Sequence, residues 1–264
     1  MPIERVGIDD SRLEDYRNVR DPESLRRRGL FVAEGRLVVE RLLERSECYD
    51  VKSFLLNEPS FASLEPLLEK ASGVPIYVCP TAELESIVGF NLHRGCLAIA
   101  NRPRESTVAE VISRATTVVV LEAIADADNV GAVFRNASAF GGGVVLSPTC
   151  CDPLYRKAIR TSMGAVFRTP FARAREWPGD LARIRHAGFT LAALTPREPA
   201  TPLEAFAGAQ RPRKIALMVG TEGRGLSEEA DAVADVRIRI AMQPGVDSLN
   251  LATAAAIALY QLTV

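Results

Sequence analysis

The chain has 264 residues, of which 47% are hydrophobic, and its formal net charge at pH 7 is −1. This length suits one large domain or two modest ones, each able to bury a core. No apolar run reaches the roughly 18 residues that a membrane-spanning helix needs, and the N-terminus lacks the apolar stretch of a signal peptide. We therefore expect a soluble, cytoplasmic protein.

Cysteine and histidine usage argues against a metal site or a disulfide framework. The chain has five cysteines, an odd number, and none of them forms a C-x-x-C pair. With only two histidines in the chain, no set of these residues has the spacing of zinc ligands. We expect neither a bound metal nor disulfides, and interpret the thiols as buried or incidental.

The near-zero net charge conceals local clusters of basic residues. One cluster near the N-terminus consists of Arg26, Arg27 and Arg28. A second stretch, residues 153–175, contains no acidic residue, and its basic residues include Arg156, Arg160 and Arg168. Such stretches suit an anionic partner such as a phosphate backbone. The alternative for either cluster is an ordinary solvated face.

The first part of the chain reads as a compact α/β unit. Residues 1–30 are predicted to be helical and charged, with Asp21-Pro22 as a break and helix start. A turn at Gly35 precedes an amphipathic helix. The remaining predicted elements are strands at 51–56, 76–78 and 96–100 and helices at 61–70 and 82–88. Residues 101–107, charged and proline-containing, are predicted to link two domains, 1–103 and 104–264.

The second part alternates strongly between strands and helices. After a short helix at 108–114, strands are predicted at 117–122, 143–146, 190–194, 215–219 and 236–240. Helices are predicted at 130–140, 154–160, 177–187, 228–233 and 249–262. Near-continuous runs of Val, Ile and Leu in the strands favour a parallel sheet covered on both faces. The last helix is apolar on nearly every side, so we expect it to be buried all round, with Ser248 or Asp247 as its cap.

Three segments of this second part combine polar residues with glycine directly after a strand. The first carries Asn129 and Arg135, and the third runs from Ile240 to Asn250. The second, residues 217–227, places Glu222 among three glycines, which permit positive φ and close approach of a ligand. Ligands in open α/β sheets bind outside the carboxyl ends of strands. Each segment alone is equally compatible with a tight turn.

The order and spacing of the three segments are more specific than any one of them. They read Asn-x-Gly-Ala-x-x-Arg, Gly-x-Glu-Gly-x-Gly and Ile-x-Met-x-x-Gly-x-x-Ser-Leu-Asn. This ordered set resembles the SpoU (TrmH-type) RNA 2′-O-ribose methyltransferases of the SPOUT superfamily, over about Leu121 to Tyr260. Residues 151–167 also match the family's usual sequence, and residues 31–35 and 92–99 resemble its N-terminal RNA-binding domain.

The resemblance implies an α/β protein whose C-terminal parallel-sheet domain contains a deep trefoil knot, with a smaller N-terminal α/β domain that binds RNA. It also implies S-adenosyl-L-methionine as cofactor and a homodimer formed through the last helix. By matching positions, the catalytic residues are Asn129, Arg135, Glu222, Ser248 and Asn250. The matching cofactor contacts are Leu194, Thr195, Gly220, Ile240, Met242 and Leu249. Expected RNA contacts are the six arginines named above, His93 and Arg94.

The implied reaction is methylation of a ribose 2′-hydroxyl in a structured RNA, with ribosomal RNA expected before tRNA. The hydroxyl must be aligned with the methyl donor and must lose its proton. Because a guanidinium stays protonated in proteins, we favour Arg135 as an orienter and stabiliser of the developing alkoxide. The proton acceptor stays open among Glu222, a phosphate and water.

Two other classes compete with this interpretation. A family member that binds RNA without catalysis would be expected to lack some reactive side chains, yet Asn129, Arg135, Glu222 and Asn250 are all present. A nicotinamide-dependent dehydrogenase would share the α/β alternation. It would need G-x-G-x-x-G after its first strand, which this chain lacks.

Overall fold

The computed structural model describes residues 3–17, 19–69, 71, 73–90, 92, 95–209 and 212–264. The chain divides into two compact units. The first comprises Met1–Arg104 and Pro153–Phe167, and the second comprises Glu105–Asp152 and Arg168–Val264. Among the helices of the described residues, none has the length and apolar character needed to traverse a membrane.

The described residues form twelve strands and twelve α-helices. In chain order the strands are β1 (Ile3–Arg5), β2 (Leu30–Glu34), β3 (Val51–Leu56), β4 (Ile76–Val78), β5 (Cys96–Asn101), β6 (Thr117–Leu121), β7 (Gly143–Leu146), β8 (Phe171–Arg173), β9 (Thr190–Leu194), β10 (Thr201–Pro202), β11 (Ile215–Val219) and β12 (Val236–Arg239). The helices are α1 (Glu14–Arg17), α2 (Pro22–Arg27), α3 (Arg36–Leu43), α4 (Glu58–Leu68), α5 (Thr81–Val88), α6 (Val108–Arg114), α7 (Ala127–Ala139), α8 (Arg156–Thr161), α9 (Gly179–His186), α10 (Leu203–Ala209), α11 (Glu228–Ala232) and α12 (Leu251–Thr263).

The first unit is built on a mixed five-stranded sheet in the order β1-β4-β3-β5-β2. Strands β1, β4 and β3 are parallel, while β5 runs antiparallel to both β3 and β2. Strands β1 and β2 were not predicted: β1 falls in residues 1–30, which were expected to be helical, and every residue of β2 is buried. Gly35 follows it with a φ of 94° and leads directly into α3. The predicted turn at Gly35 is therefore the end of a strand, and positive φ explains the glycine.

Residues 153–167 belong to the first unit by their contacts, whereas the sequence placed them in a domain spanning 104–264. The ring of Phe167 packs against Phe31 and Tyr49, with ring centroids 5.8 and 5.1 Å apart. Aromatic pairs of this kind stabilise a fold by more than the removal of their apolar area from water would give. They hold the end of the segment in the first unit.

A buried ion pair anchors the start of the same segment. Glu34 is 2% exposed and forms a salt bridge with Arg156. The guanidinium carbon of Arg156 also lies 4.1 Å from the ring centroid of Phe90. A buried carboxylate needs such a partner because its desolvation is otherwise unfavourable. Strand period alone could not reveal this pairing between residues 122 positions apart.

The second unit confirms the predicted parallel sheet. Its seven strands run in the order β10-β12-β9-β11-β6-β7-β8, and every pairing is parallel. All residues of β6, β7 and β11 are buried, as expected for strands covered on both faces. The two edge strands, β8 and β10, and helix α10 were not predicted. Strand β10 has only two residues, and β8, with the sequence Phe-Ala-Arg, lacks the continuous apolar run that marks the equally short strand β4.

The last helix differs from its prediction at its start and on its surface. Asn250, not Ser248 or Asp247, is the N-cap: its side chain accepts hydrogen bonds from the amides of Ala252 and Thr253 at 3.0 and 3.2 Å. One face of α12 is buried against α7, but Ile257 and Tyr260 are 39% and 56% exposed. In a single chain the helix is not buried all round.

All five cysteines are free thiols. Burial raises the pKa of both Cys79 and Cys151 to about 11, so both remain protonated near neutral pH. Within the described ranges, no group of His, Cys, Asp and Glu side chains is arranged to hold a metal ion.

Candidate functional site at the carboxyl ends of the parallel strands

Four neighbouring strands of the second unit end at the same edge of the sheet. Strands β12, β9, β11 and β6 are adjacent and parallel, so the loops that follow them share that edge. The loop after β6 leads to Asn129 in α7, the loop after β11 carries Glu222, and the segment after β12 leads to Asn250. This is the edge at which ligands bind in open α/β sheets.

Asn129, Glu222 and Asn250 meet in one hydrogen-bonded group, hereafter the amide–carboxylate cluster. The Nδ2 atom of Asn129 donates to Oε1 of Glu222 at 3.1 Å. The Nδ2 atom of Asn250 donates to Oδ1 of Asn129 at 2.9 Å and to the same Glu222 oxygen at 3.3 Å. The structure thus brings together one predicted residue from each of the three segments.

The cluster is oriented by the helices that begin beside it. Because Oδ1 of Asn250 caps α12, its amide nitrogen must face Asn129 and Glu222. Asn129 is 9% exposed in the first turns of α7, whose N-cap is Asp126. Helix α7 is tied to α12 by the Asn136 amide, which donates to the backbone oxygen of Ala252 at 2.9 Å. The orientation of the Asn250 amide therefore follows from its role as the cap of α12.

The glycine-rich loop after β11 is closed by two backbone hydrogen bonds. The amide of Thr221 donates to the oxygen of Gly225 at 3.0 Å, and the amide of Gly225 donates to the oxygen of Thr221 at 2.9 Å. Gly223 and Gly225 have φ values of 86° and 76°, which side chains rarely adopt. A Cβ added to Gly220 would lie 2.1 Å from the carbonyl carbon of Gly225. The loop can fold back on its own strand only because residue 220 is glycine.

Gly220→Ala is therefore expected to lower the free energy of unfolding by about 1–3 kcal/mol, since backbone must move to admit the methyl group. Urea denaturation measures this change. The matched control is Gly208→Ala in α10, where nothing lies within 4 Å of an added Cβ. Alanine there is expected to be neutral or stabilising by up to about 1 kcal/mol. Equal, small effects of the two substitutions would contradict the loop geometry.

Four of the six predicted cofactor residues, Leu194, Thr195, Gly220 and Ile240, lie at or directly after the ends of three adjacent strands, while Met242 and Leu249 lie in the segment between β12 and α12. Leu194 is the last residue of β9, Gly220 follows β11, and Ile240 follows β12. The backbone amide of Thr195 donates to the oxygen of Ile238 in β12 at 3.0 Å, which holds two of these ends together. The half-buried side chains of this set are Leu194, Thr195, Ile240, Met242 and Leu249, while Gly220 is buried.

Two predicted catalytic residues do not join the amide–carboxylate cluster. Arg135 is exposed on α7, six residues after Asn129 and hence about 120° around the helix from it. Ser248 is exposed two residues before the α12 cap. Among the residues that the structure describes, neither is hydrogen-bonded to Asn129, Glu222 or Asn250.

The predicted RNA-contacting arginines of the segment 153–175 differ in their accessibility. The side chain of Arg156 is 18% exposed and engaged with Glu34. Arg160 is 48% exposed, and its Nη1 lies 3.9 Å from Oε2 of the same carboxylate. Arg168 is exposed. Of the three, Arg156 is therefore the least able to reach an external phosphate.

The N-terminal arginines all lie at the exposed end of α2. Arg28 forms a salt bridge with Asp15, while Arg26 and Arg27 occupy the last turn of the helix. Two further predicted RNA contacts lie outside the described residues: His93 and Arg94.

Sequence reasoning missed Glu122, which directly follows the buried β6 strand and is 6% exposed. Its carboxylate accepts hydrogen bonds from Trp177 and from Ser227, the N-cap of α11. The available signal was an acidic residue directly after five buried residues. Buried carboxylates are retained only with hydrogen-bond partners, but the sequence does not name those partners.

Known proteins resemble this chain both in sequence and in fold. A protein of Mycobacterium bovis described as an uncharacterized tRNA/rRNA methyltransferase is 41% identical over 260 residues, which cover 97% of this chain and 89% of the relative. Two solved structures share the fold. An AdoMet-bound rRNA methyltransferase from Sinorhizobium meliloti has a TM-score of 0.81 at 24% identity, covering 98% of this chain and 97% of the other. An RNA 2′-O ribose methyltransferase has a TM-score of 0.80 at 24% identity, covering 98% of each chain.

The family model described as the SpoU rRNA Methylase family matches residues 116–260, which include all three segments of the site. Together with the relative that is 41% identical over nearly the whole chain, this match shows that the protein belongs to the SpoU rRNA methylase family.

Proposed function

We propose that the protein transfers a methyl group from S-adenosyl-L-methionine to a ribose 2′-hydroxyl of a structured RNA, with ribosomal RNA the first candidate and tRNA the second. The observation that carries this proposal is the meeting of Asn129, Glu222 and Asn250 at one edge of a parallel sheet. Membership of an RNA methylase family supports the reaction class. The AdoMet-bound and ribose-methylating proteins of the same fold support the cofactor and the 2′-oxygen.

The residues at the strand ends and in the segment after β12 fit this cofactor. It supplies a methyl group on a positively charged sulfur. Half-buried Leu194, Met242 and Leu249 offer apolar surface for the faces of an adenine ring. The polar edge of the ring needs hydrogen-bond partners once it is buried, and loop backbone groups beside Gly220 can supply them. The carboxylate of Glu222 provides negative charge suited to a sulfonium.

The polar side chains of the site would act mainly by positioning. The amides of Asn129 and Asn250 fix one oxygen of Glu222 and thereby the tip of the glycine-rich loop. Aligning a hydroxyl with a methyl donor lowers the barrier chiefly through orientation. Arg135 is exposed and permanently charged, so it can stabilise an oxygen that becomes negative as the hydroxyl loses its proton.

The remaining features of the proposal concern assembly. We assign RNA selection to the first unit and methyl transfer to the second, whose chain we expect to contain the trefoil knot implied by the family. The exposed Ile257 and Tyr260 of α12 suit a homodimer interface, because apolar contacts there would complete the burial expected of this helix. Light scattering of the purified protein tests the dimer. A monomeric mass would reject it.

RNA and the methyl donor both occur in the cytoplasm, where we expect the protein to act.

Two measurements test the proposed reaction. Isothermal titration of the purified protein with S-adenosyl-L-methionine is expected to show micromolar binding. Incubation with the tritiated cofactor and total RNA from a host lacking the gene is expected to label RNA, and primer extension then maps the nucleotide. Label in the large or small ribosomal RNA supports the first candidate, and label in tRNA supports the second. RNA binding with no transfer would identify a non-catalytic member of the family.

A further inference from the structure

We infer that Glu122 is a positioning residue of the proposed methyl-transfer site: its buried carboxylate locks together the two loops that carry Asn129 and Glu222. The inference rests on the proposed function, because it assigns Glu122 a part in holding the cofactor site. Glu122 lies outside the amide–carboxylate cluster and would touch neither the cofactor nor the RNA.

Three donors converge on this carboxylate. Trp177 Nε1 donates to Oε1 at 2.6 Å, and Ser227 Oγ donates to the same oxygen at 2.7 Å. The backbone amide of Ser227 donates to Oε2 at 2.8 Å. Glu122 is only 6% exposed, so these bonds replace water that an ionised carboxylate would otherwise require. Bonds to a charged acceptor are stronger than those between neutral groups.

The carboxylate connects the start of one loop to the end of another. The loop that leads to Asn129 begins at Glu122, directly after β6. The glycine-rich loop that carries Glu222 ends at Ser227, which caps α11 by accepting from the amide of Ala230 at 3.2 Å. The two loops must stay in register for Asn129 to donate to Glu222 at 3.1 Å. Hydrogen bonds between Glu122, the first residue of one loop, and Ser227, the last residue of the other, are the simplest way to fix this relative position.

The backbone next to Glu122 is held in an unusual conformation. Ala123 has a φ of 56°, a region that residues with a Cβ rarely adopt. Its amide donates to Oγ of Ser147 at 2.9 Å, and the amide of Ile124 donates to Sγ of Cys150 at 3.4 Å. Strained backbone persists where its surroundings over-determine it, and such places cluster at functional sites. The loop is thus anchored on one side by the Ser147–Cys150 turn and on the other by Glu122.

Glu122→Gln tests this role with little change of shape. An amide has one acceptor oxygen, so its nitrogen must face either the Trp177 indole or the Ser227 amide, and one donor loses its acceptor. We expect the folded variant to bind S-adenosyl-L-methionine at least about tenfold more weakly in isothermal titration. Ser227→Ala removes the hydroxyl bond to Glu122 and the N-cap of α11 but keeps the amide bond to Glu122, and it is expected to weaken binding by about threefold. This second variant serves if the first fails to fold.

A second readout uses the single tryptophan of the chain. Because its indole is bonded to Glu122, cofactor binding beside the glycine-rich loop is expected to change Trp177 fluorescence in the wild type. The change is expected to be lost or reduced in Glu122→Gln at saturating cofactor. Substitution of a residue that merely stabilises the fold would not uncouple cofactor binding from the change in Trp177 fluorescence.

Asp180→Asn is the matched control. Asp180 is also a buried carboxylate of the second unit, and it accepts from the amides of Arg175 and Glu176 at 2.8 and 3.0 Å. The Asp180→Asn variant is expected to have a lower melting temperature but an unchanged affinity for the cofactor. Wild-type affinity in both folded Glu122→Gln and Ser227→Ala would overturn the inference. Failure of the wild type to bind the cofactor would instead overturn the proposed function, and the inference with it.

Discussion

Arg135→Ala is expected to reduce the rate of methyl transfer to RNA by about 10²–10³-fold, the effect of removing one group that stabilises developing negative charge. The side chain is exposed on α7, so the free energy of unfolding should change by no more than about 0.5 kcal/mol. Single-turnover transfer of tritium to the RNA substrate measures the first quantity, and urea denaturation measures the second.

Two further variants separate charge from geometry at this position. Arg135→Lys keeps the positive charge but loses the planar fork of donors, and it is expected to recover only part of the lost rate. Arg114→Ala removes another exposed arginine of the same unit, at the end of α6, and should leave transfer unchanged. Unchanged turnover in Arg135→Ala would remove this residue from the chemistry.

Asn250→Ala is expected to slow transfer by about 10²-fold, because loss of its amide frees Asn129 and Glu222 from their shared orientation. It should also lower the free energy of unfolding by about 1 kcal/mol, because Asn250 is the N-cap of α12. The two effects have different physical origins, and they can be measured on the same protein by rate assay and urea denaturation.

Asn250→Ser separates the two roles of this residue. Serine caps a helix about as well as asparagine, but it has no amide to donate to the other two side chains of the cluster. We expect near wild-type stability with the same loss of transfer as in Asn250→Ala. A serine variant that transfers methyl groups at the wild-type rate would show that the amide–carboxylate cluster plays no part in the reaction.

The parallel sheet of the second unit could be predicted because its central strands β6, β7 and β11 are apolar runs in which every residue is buried. Strands β6, β9 and β11 were predicted to within one residue of their observed bounds. Strand β10 was missed because it has only two residues, and β8 was missed because its sequence, Phe-Ala-Arg, is not the continuous apolar run that marks a short buried strand such as β4. Strand β2 was missed since its buried run ends at Gly35, whose turn signal dominated the pattern.

The meeting of Asn129, Glu222 and Asn250 could be anticipated because parallel strands deliver their loops to one edge. The cap of α12 could not be chosen correctly, because Ser, Asp and Asn near a helix start are almost equally good caps. The partners of Glu122 were equally hidden. Trp177 and Ser227 are 55 and 105 residues away from it, and no local pattern encodes such distant pairs.

The assignment of residues 153–167 shows a different limit. Their apolar and basic pattern correctly indicated a helix, but periodicity carries no information about which core a helix joins. That depends on complementary partners, here Glu34 for Arg156 and the rings of Phe31 and Tyr49 for Phe167. Glu34 ends the fully buried strand β2 and therefore requires a cation from a distant part of the chain, but this requirement becomes visible only once the strand is known.

The position of the transferred methyl group is the most direct test of the site's proposed chemistry. The protein is incubated with RNA from a host lacking the gene and with S-adenosyl-L-methionine that carries a deuterated methyl group. The RNA is then digested to nucleosides for mass spectrometry. We predict a labelled nucleoside whose extra mass stays with the ribose fragment, as 2′-O-methylation requires. Label that stays with the base fragment, or no label in RNA from a protein that binds the cofactor, would contradict the account.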